Sequence, residues 1–201
     1  MNSRPARSSR GYSLVEIMLV VALIGIVSAI AAPMMGNTLK FFRVSGDARS
    51  AANSIQLAKM RASSVFGRVR LYVDLSTNKF HLETYNKTTS TWVADGGTTS
   101  LSQGVAFGFG VVGAPPTNTQ PAISQAPLCK NSAAVPLDIA NTACVIFNSR
   151  GTPIDSTGAP IAVDAIYLTD GTAVYGITLS ATGMVRTWRT PPTVTPTWSL
   201  Q

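Results

Sequence analysis

The hydrophobic pattern divides the chain into an apolar N-terminal stretch and a longer, mixed region. The first ten residues are polar and basic, and an uncharged stretch lies between Glu16 and Lys40. Its apolar centre, residues 17–35, is close to the ~20 residues that a helix needs to span the hydrocarbon core of a bilayer. Because basic residues precede this segment, the positive-inside rule predicts one membrane crossing with a cytoplasmic N-terminus.

The following segment, residues 34–64, keeps a helical period but becomes amphipathic. Apolar side chains recur at helical spacing, and charged side chains occupy the remaining positions. The predicted apolar face comprises Leu39, Phe42, Val44, Ala48, Ala51, Ala52, Ile55, Leu57, Ala58 and Ala62. We predict a single helix over residues 12–64, about 80 Å long at ~1.5 Å per residue. Its first half fits lipid or a filament core, and its second half fits the surface of a globular domain.

Beyond Ser64 the hydrophobic period changes to two, and turn residues separate short alternating runs. The predicted strands cover residues 68–74, 79–85, 91–94, 105–109, 143–148, 165–169, 174–180 and 184–189. We therefore predict an antiparallel β domain, a sheet or sandwich, over residues 65–201. The fold class is α+β, with the second half of the long helix packed on the β domain.

Residues 113–142 interrupt the strand pattern. They are rich in proline and polar residues, and an irregular loop of this length is usually functional or mobile. Cys129 and Cys144 bracket its second half. Because the predicted topology exports this domain to an oxidising compartment, we expect the two cysteines to form a disulfide. A reactive cysteine is the alternative, but His81, the one histidine, lies on a distant predicted strand.

Composition narrows the possible functions. The chain has 16 Lys and Arg against 9 Asp and Glu, a net charge of +7, but Arg4, Arg7 and Arg10 lie in the first ten residues. Charged residues make up 12% and hydrophobic residues 45%, a balance that excludes a disordered chain. One His and two Cys are too few for a four-ligand zinc site. No P-loop, HExxH or nucleophile-elbow pattern is found, so we expect no enzyme, metal or cofactor.

The boundary of the apolar stretch carries a more specific signal. Gly11 and Tyr12 precede it, and Glu16 lies at its edge, where a carboxylate is costly and is read as functional by default. This order resembles the class III signal of type IV pilins and type II secretion pseudopilins. The resemblance implies that prepilin peptidase cleaves between Gly11 and Tyr12, removes residues 1–11 as a leader and methylates the amine of Tyr12. The family usually has Phe after the cut, and Tyr12 keeps the aromatic ring.

The same resemblance implies how the subunit assembles. Glu16 would neutralise the cationic amine of a neighbouring subunit, because an unpaired charge in a membrane is costly. Pro33 matches the family's frequent helix-kinking proline and is expected to bend or loosen α-helical structure. The implied partners are other pilin or pseudopilin subunits, prepilin peptidase and the inner membrane. The implied location is the inner membrane, with a periplasmic globular domain, and then a periplasmic pseudopilus or a cell-surface pilus.

An ordinary secretory signal peptide is the main alternative for the N-terminal segment. Such signals have a shorter apolar region followed by a small-residue cleavage site. Ala29, Ala31 and Ala32 resemble such a site. Glu16, however, has no role in a simple signal peptide. The simplest non-functional explanation of Glu16 is a carboxylate that only reaches the membrane surface.

The C-terminal strands carry a second, weaker resemblance. Residues 147–151 and 166–189 resemble the H-type pseudopilin and FimT-like minor pilin domain, which implies a minor structural subunit. The alternative is a minor pilin that binds DNA for uptake through Arg186, Trp188 and Arg189, which offer phosphate contacts beside a stacking ring.

Strand alternation sends Arg186 and Arg189 to opposite faces, so this alternative needs a bulge or a strand end. Arg68, Arg70 and Lys79 would extend the patch. Basic residues on exposed strands also discourage edge pairing, which is the simpler explanation of their presence.

Overall fold

The computed structural model describes residues 11–132 and 135–201, with the side chains of residues 32–37 excepted. Contacts within the chain define two compact units, one ending at Phe41 and one comprising Phe42–Gln201. The elements are α1 (Leu14–Ser64), β1 (Val69–Asp74), β2 (Lys79–Asn86), β3 (Thr91–Ala94), β4 (Thr99–Ser100), β5 (Ala106–Phe107), β6 (Thr142–Phe147), β7 (Pro153–Ile154), β8 (Ala165–Thr169), β9 (Val174–Leu179), β10 (Val185–Thr190) and β11 (Ser199–Leu200).

The first unit contains the apolar part of helix α1. Every side chain from Leu14 to Ala31 is exposed. This segment is the one stretch of the described chain that is long and apolar enough to cross a membrane. Pro33 falls within the bounds of α1, but its side chain and its predicted effect lie outside the described residues, as do residues 1–10 of the predicted leader.

In the second unit, α1 buries a narrow stripe of mostly small side chains. The fully or almost fully buried positions repeat every three or four residues and are Val44, Ala48, Ala51, Ile55, Ala58 and Ala62. This spacing keeps them on one side of the helix, and the alanines allow close approach to the sheets. Leu39, Phe42 and Leu57 were predicted on this face but are exposed, because they lie out of phase with the stripe.

The β-strands form two antiparallel sheets. The first has the order β3-β2-β1-β6-β7, with β4 also paired to β2, and the second has the order β11-β10-β9-β8-β5. Side chains of both sheets join the buried stripe of α1 in one core that includes Leu71, Val145, Ile166 and Ile177. The predicted α+β class, a long helix followed by an antiparallel β domain, is confirmed.

Most predicted strands occur close to their expected positions, but three strands were not predicted. β4, β7 and β11 have two residues each, which is too short to show an alternating pattern. The predicted strand at residues 105–109 shrinks to β5, because Gly108 has a positive φ of 155°. These short elements pair with longer strands, so their existence depends on tertiary contacts.

Side-chain amides attach the long loop before β6 to the second sheet. Gln125 accepts from the backbone N–H of Tyr167 at 2.8 Å and donates to its carbonyl at 2.9 Å, as a neighbouring strand would. Gln120 accepts from the Tyr167 hydroxyl at 2.7 Å. Cys129 and Cys144 form a disulfide with a Cα–Cα distance of 5.0 Å, which ties the loop to β6. Closing a loop of this size contributes about 3 kcal/mol in the chain-entropy model.

Candidate functional site

The predicted processing site lies just before helix α1. Gly11 and Tyr12 are exposed, and the Tyr12 residue retains 79% of its accessible surface. The first backbone hydrogen bond of the helix runs from the Ile17 N–H to the Ser13 carbonyl at 3.2 Å. The dipeptide that a peptidase would cleave is therefore accessible and precedes the first helical turn.

Glu16 occupies the first turn of α1 and is exposed. Since α1 begins at Leu14, Ser13 stands at the N-cap position and Glu16 at the third helical position. This Ser-x-x-Glu pattern is the capping-box sequence, and a carboxylate there also interacts favourably with the helix dipole. Glu16 can thus support the start of the helix as well as pair with a cation, and the capping pattern was readable in the sequence.

The structure does not bring Arg186 and Arg189 to one face. Strand β10 pairs with β9 in an unbroken register from Val185 opposite Leu179 to Thr190 opposite Val174. No bulge interrupts this pairing, so strand alternation places the two arginines on opposite sides. Arg186 is exposed, whereas Arg189 is half-buried and its Nε is buried.

Trp188 is also occupied in a structural contact. Its indole Nε1–H donates to the Thr178 hydroxyl across the strand pair at 2.9 Å, and the residue is half-buried. Trp188 lies on the same side of β10 as Arg186, as strand alternation predicts. Arg186, Trp188 and Arg189 therefore do not form one DNA-binding surface, because the two arginines do not flank the indole ring on a single face of β10.

Arg70 is the clearest correction to the predicted basic patch. It is 3% exposed and pairs with Glu83, and its Nη1 donates to the Lys130 carbonyl at 2.8 Å. Its guanidinium lies 4.2 Å from the centroid of the Trp92 ring. Burial lowers the pKa of Arg70 despite the neighbouring carboxylate of Glu83. The arginine therefore serves the fold, and its charge is neutralised locally.

The aspartates outside the predicted sites have two different roles. Asp155 and Asp170 accept hydrogen bonds from the following backbone N–H groups, as expected for turn residues. Asp164 differs from both, because it is 3% exposed and lies directly before β8. Its Oδ1 is buried without a hydrogen-bond partner in the described part of the chain.

Asp164 is the polar side chain that sequence reasoning missed. Burial and, secondarily, the charge of Asp155 raise the pKa of the Asp164 carboxyl to about 7. A signal was present in the sequence, because Asp164 interrupts an apolar run from Ile161 to Leu168 that leads into a strand. An acid within such a run is expected to be buried if the run enters the core.

Comparison with known proteins adds a direct observation at the N-terminus. Residues 6–32 match the model of the prokaryotic N-terminal methylation motif. The matched range includes Gly11, Tyr12, Glu16 and most of the apolar segment. The chain therefore carries this motif, and the resemblance of its N-terminal segment to type IV pilins and type II secretion pseudopilins is confirmed.

Two solved structures of the minor pseudopilin EpsH from the type II secretion system of Vibrio cholerae align with this chain. One is 12% identical with a TM-score of 0.43, and the alignment covers 72% of this chain and 94% of that chain. The other is 13% identical with a TM-score of 0.42 and coverages of 78% and 95%. Identity and TM-score are too low for residue roles to be transferred. No curated protein matches this sequence.

Proposed function

We propose that this protein is a minor pilin or pseudopilin, a structural and non-enzymatic subunit of a type IV pilus or type II secretion pseudopilus. The observation that carries this proposal is the N-terminal methylation motif at residues 6–32. In this proposal prepilin peptidase cleaves between Gly11 and Tyr12 and methylates the new amine of Tyr12. The exposure of both residues before α1 supports access by the peptidase.

The apolar part of α1 supports a membrane location before assembly and subunit contacts afterwards. All side chains of Leu14–Ala31 are exposed, and many are large and apolar. Burying such side chains contributes roughly 1.5–3 kcal/mol each, so the segment is stable only in lipid or against other helices. The basic residues before it favour a cytoplasmic N-terminus, with the domain of residues 65–201 in the periplasm.

Glu16 supplies the specificity of the proposed assembly. Cleavage creates a cationic amine four residues before Glu16, within an environment that excludes water. A carboxylate of the neighbouring subunit neutralises that amine, and breaking a buried ion pair costs about 3–5 kcal/mol. Pro33 is proposed to loosen the helix beyond this contact, where it lacks an N–H donor.

The role of Glu16 is tested by comparing Glu16→Gln with Glu16→Ala in the native host. Gln is also a capping-box residue at this position but lacks the charge, whereas Ala lacks both the capping group and the charge. We expect both variants to reduce the amount of subunit in sheared filaments by at least roughly tenfold, since both remove the ion pair. Immunoblots of sheared and membrane fractions measure this distribution.

Asp74→Asn is the matched control, because it removes a carboxylate from a surface turn far along the chain. It should enter filaments at the wild-type level, and both Glu16 variants should retain the wild-type melting temperature of the β domain. Normal incorporation of Glu16→Gln would refute the charge-pairing role. Impairment of Glu16→Ala alone would assign Glu16 to helix capping.

A further inference from the structure

The position of Asp164 is fixed by hydrogen bonds along its backbone. The Val163 carbonyl accepts from Gln120 Nε2 at 2.8 Å, and the Asp164 carbonyl accepts from the Leu179 N–H at 2.9 Å. The Ala165 carbonyl accepts from the Ala126 N–H at 2.7 Å. Three consecutive carbonyls are therefore held, which fixes the backbone from which the buried Asp164 side chain extends.

Asp164 lines a cavity of about 260 Å³ between the long loop, the β6–β7 strands and the segment before β8. Its wall is part apolar and part polar, and Asp155, Ser156 and the Lys130–Asp138 pair are its polar components besides Asp164. The apolar lining residues are Pro127, Leu128, Ile146, Ile154 and Ile161. A ligand with an apolar stem and a polar tip would match this lining.

The cavity has an excess of negative charge. Asp155 keeps its charge, because the Thr157 hydroxyl and the neighbouring backbone N–H groups lower the pKa of its carboxyl. Lys130 lines the cavity, but its Nζ is engaged by Asp138 Oδ1 at 2.7 Å. Within residues 11–132 and 135–201, no cation forms an ion pair with Asp155 or Asp164.

We propose that this cavity is a docking site for a lysine side chain of another protein, with the methylene groups against the apolar wall and the ammonium at Asp164 and Asp155. Lysine side chains characteristically bury their stems along apolar surface and direct the charge to a polar group. An ammonium would also offset the desolvation of the Asp164 carboxyl, whose buried Oδ1 has no hydrogen-bond partner among the described residues.

The donor set favours an ammonium over a metal ion. Calcium takes six to eight oxygen ligands, and zinc prefers nitrogen and sulfur ligands. Among the residues described here, no group of three or more His, Cys, Asp or Glu side chains is placed to hold a metal. An anion is disfavoured by the two carboxyl groups. This proposal rests on the cavity that Asp164 and Asp155 line and is independent of the role proposed for the N-terminus.

The test is an NMR titration of the full-length, detergent-solubilised protein with isotope-labelled aspartate carboxyl groups. The probe is N-acetyl-lysine methylamide, and N-acetyl-norleucine methylamide is its uncharged counterpart. Only a few non-hydrogen atoms enter the cavity, so binding is expected on the order of 10 mM. At saturation the lysine probe should lower the pKa of Asp164 from about 7 by about one unit, a tenfold preference for the ionised form.

Variants separate this effect from general charge screening. Asp164→Asn should abolish the saturable response, and Asp74→Asn should retain it. Ser156→Trp, at an exposed position on the cavity edge, should block the probe without altering the buried carboxyl. This variant keeps the test valid if Asp164→Asn does not fold. An equal response to the norleucine probe, a tighter response to calcium chloride, or no saturable response would overturn the proposal.

Discussion

The two halves of helix α1 contain apolar side chains with opposite exposure. Ile24, in the first half, is 60% exposed, whereas Ile55, in the second half, is fully buried. The second half is covered by two β-sheets of its own chain. The first half is exposed on every side, and a helix that is apolar all round is stable only when lipid or other helices surround it. The comparison separates a segment that serves folding from a segment that serves insertion and assembly.

The largest effect is expected from a matched pair of isoleucine truncations. Ile55→Ala should lower the free energy of unfolding of the β domain by about 2–5 kcal/mol, because it leaves a cavity in the core. Ile24→Ala should change it by less than about 0.5 kcal/mol, as expected for an exposed site. Urea denaturation monitored by tryptophan fluorescence measures both, since Trp92, Trp188 and Trp198 all lie in the second unit.

Equal destabilisation by the two variants would show that the first half of α1 also packs on the β domain, and would remove the contrast. Ile24→Ala is further expected to leave membrane association intact, because one truncated side chain removes little of the apolar surface. Fractionation of membranes checks this expectation.

The second effect is the pH dependence of stability that follows from the raised pKa of Asp164, a buried acid in the second unit. The pKa of Asp164 is raised to about 7 by burial, whereas an unfolded Asp titrates near 3.9. Between these values the folded protein holds a proton that the unfolded chain has released, so wild-type stability falls as pH rises. Asp164→Asn removes this dependence. As pH rises from 4 to 8, the free energy of unfolding of this variant should rise by about 2–4 kcal/mol relative to that of wild type, as measured by denaturation.

Asp74→Asn is the control with the opposite sign. Hydrogen bonds from Ser76 and Thr77 lower the pKa of Asp74 in the turn after β1. Its contribution is therefore present above the unfolded pKa and is lost as pH falls through the folded pKa. If the stabilities of Asp164→Asn and Asp74→Asn had the same pH dependence, the assignment of Asp164 as a buried carboxyl with a raised pKa would be wrong.

The smallest effect is expected on the affinity of the protein for duplex DNA. Since Arg186 and Arg189 lie on opposite faces of β10, substituting both by Gln should change duplex affinity no more than about twofold at low salt. Lys79→Gln, an exposed substitution in the other sheet, should have a similar effect. Electrophoretic mobility shifts at several salt concentrations measure this. A loss above about tenfold in the double variant, with a salt slope reduced by about two, would support the DNA-uptake alternative.

The sequence predicted the elements that depend on a long, regular pattern. The apolar and amphipathic parts of α1 were readable from helical period, and β1, β2, β8, β9 and β10 from alternation. The three two-residue strands were not, because they exist through pairing with longer strands. Leu57 was wrongly assigned to the buried face of α1. It lies two residues after Ile55, about 200° around the helix, so strict helical phase places it outside the buried stripe.

The processing motif was also readable from the sequence, because it is local and ordered along the chain. The apolar run around Asp164 signals its burial, but its neighbours were not readable, since they depend on the loop before β6 folding over the segment that leads into β8. The same reason explains Arg70, which looked like a surface cation on an alternating strand. Its burial requires Glu83 on the neighbouring strand and the Lys130 carbonyl from the distant loop.

The most direct test of the account is mass spectrometry of the intact N-terminus of the protein purified from its native host. The account predicts a mature chain that begins at Tyr12 and carries one methyl group on its α-amine, so that residues 1–11 are absent and the apolar half of α1 is retained. Gly11→Ala should leave the chain unprocessed if the glycine is required by the peptidase. A mature terminus near Pro33 would contradict the account, because it would establish ordinary signal-peptide cleavage and remove the assembly segment.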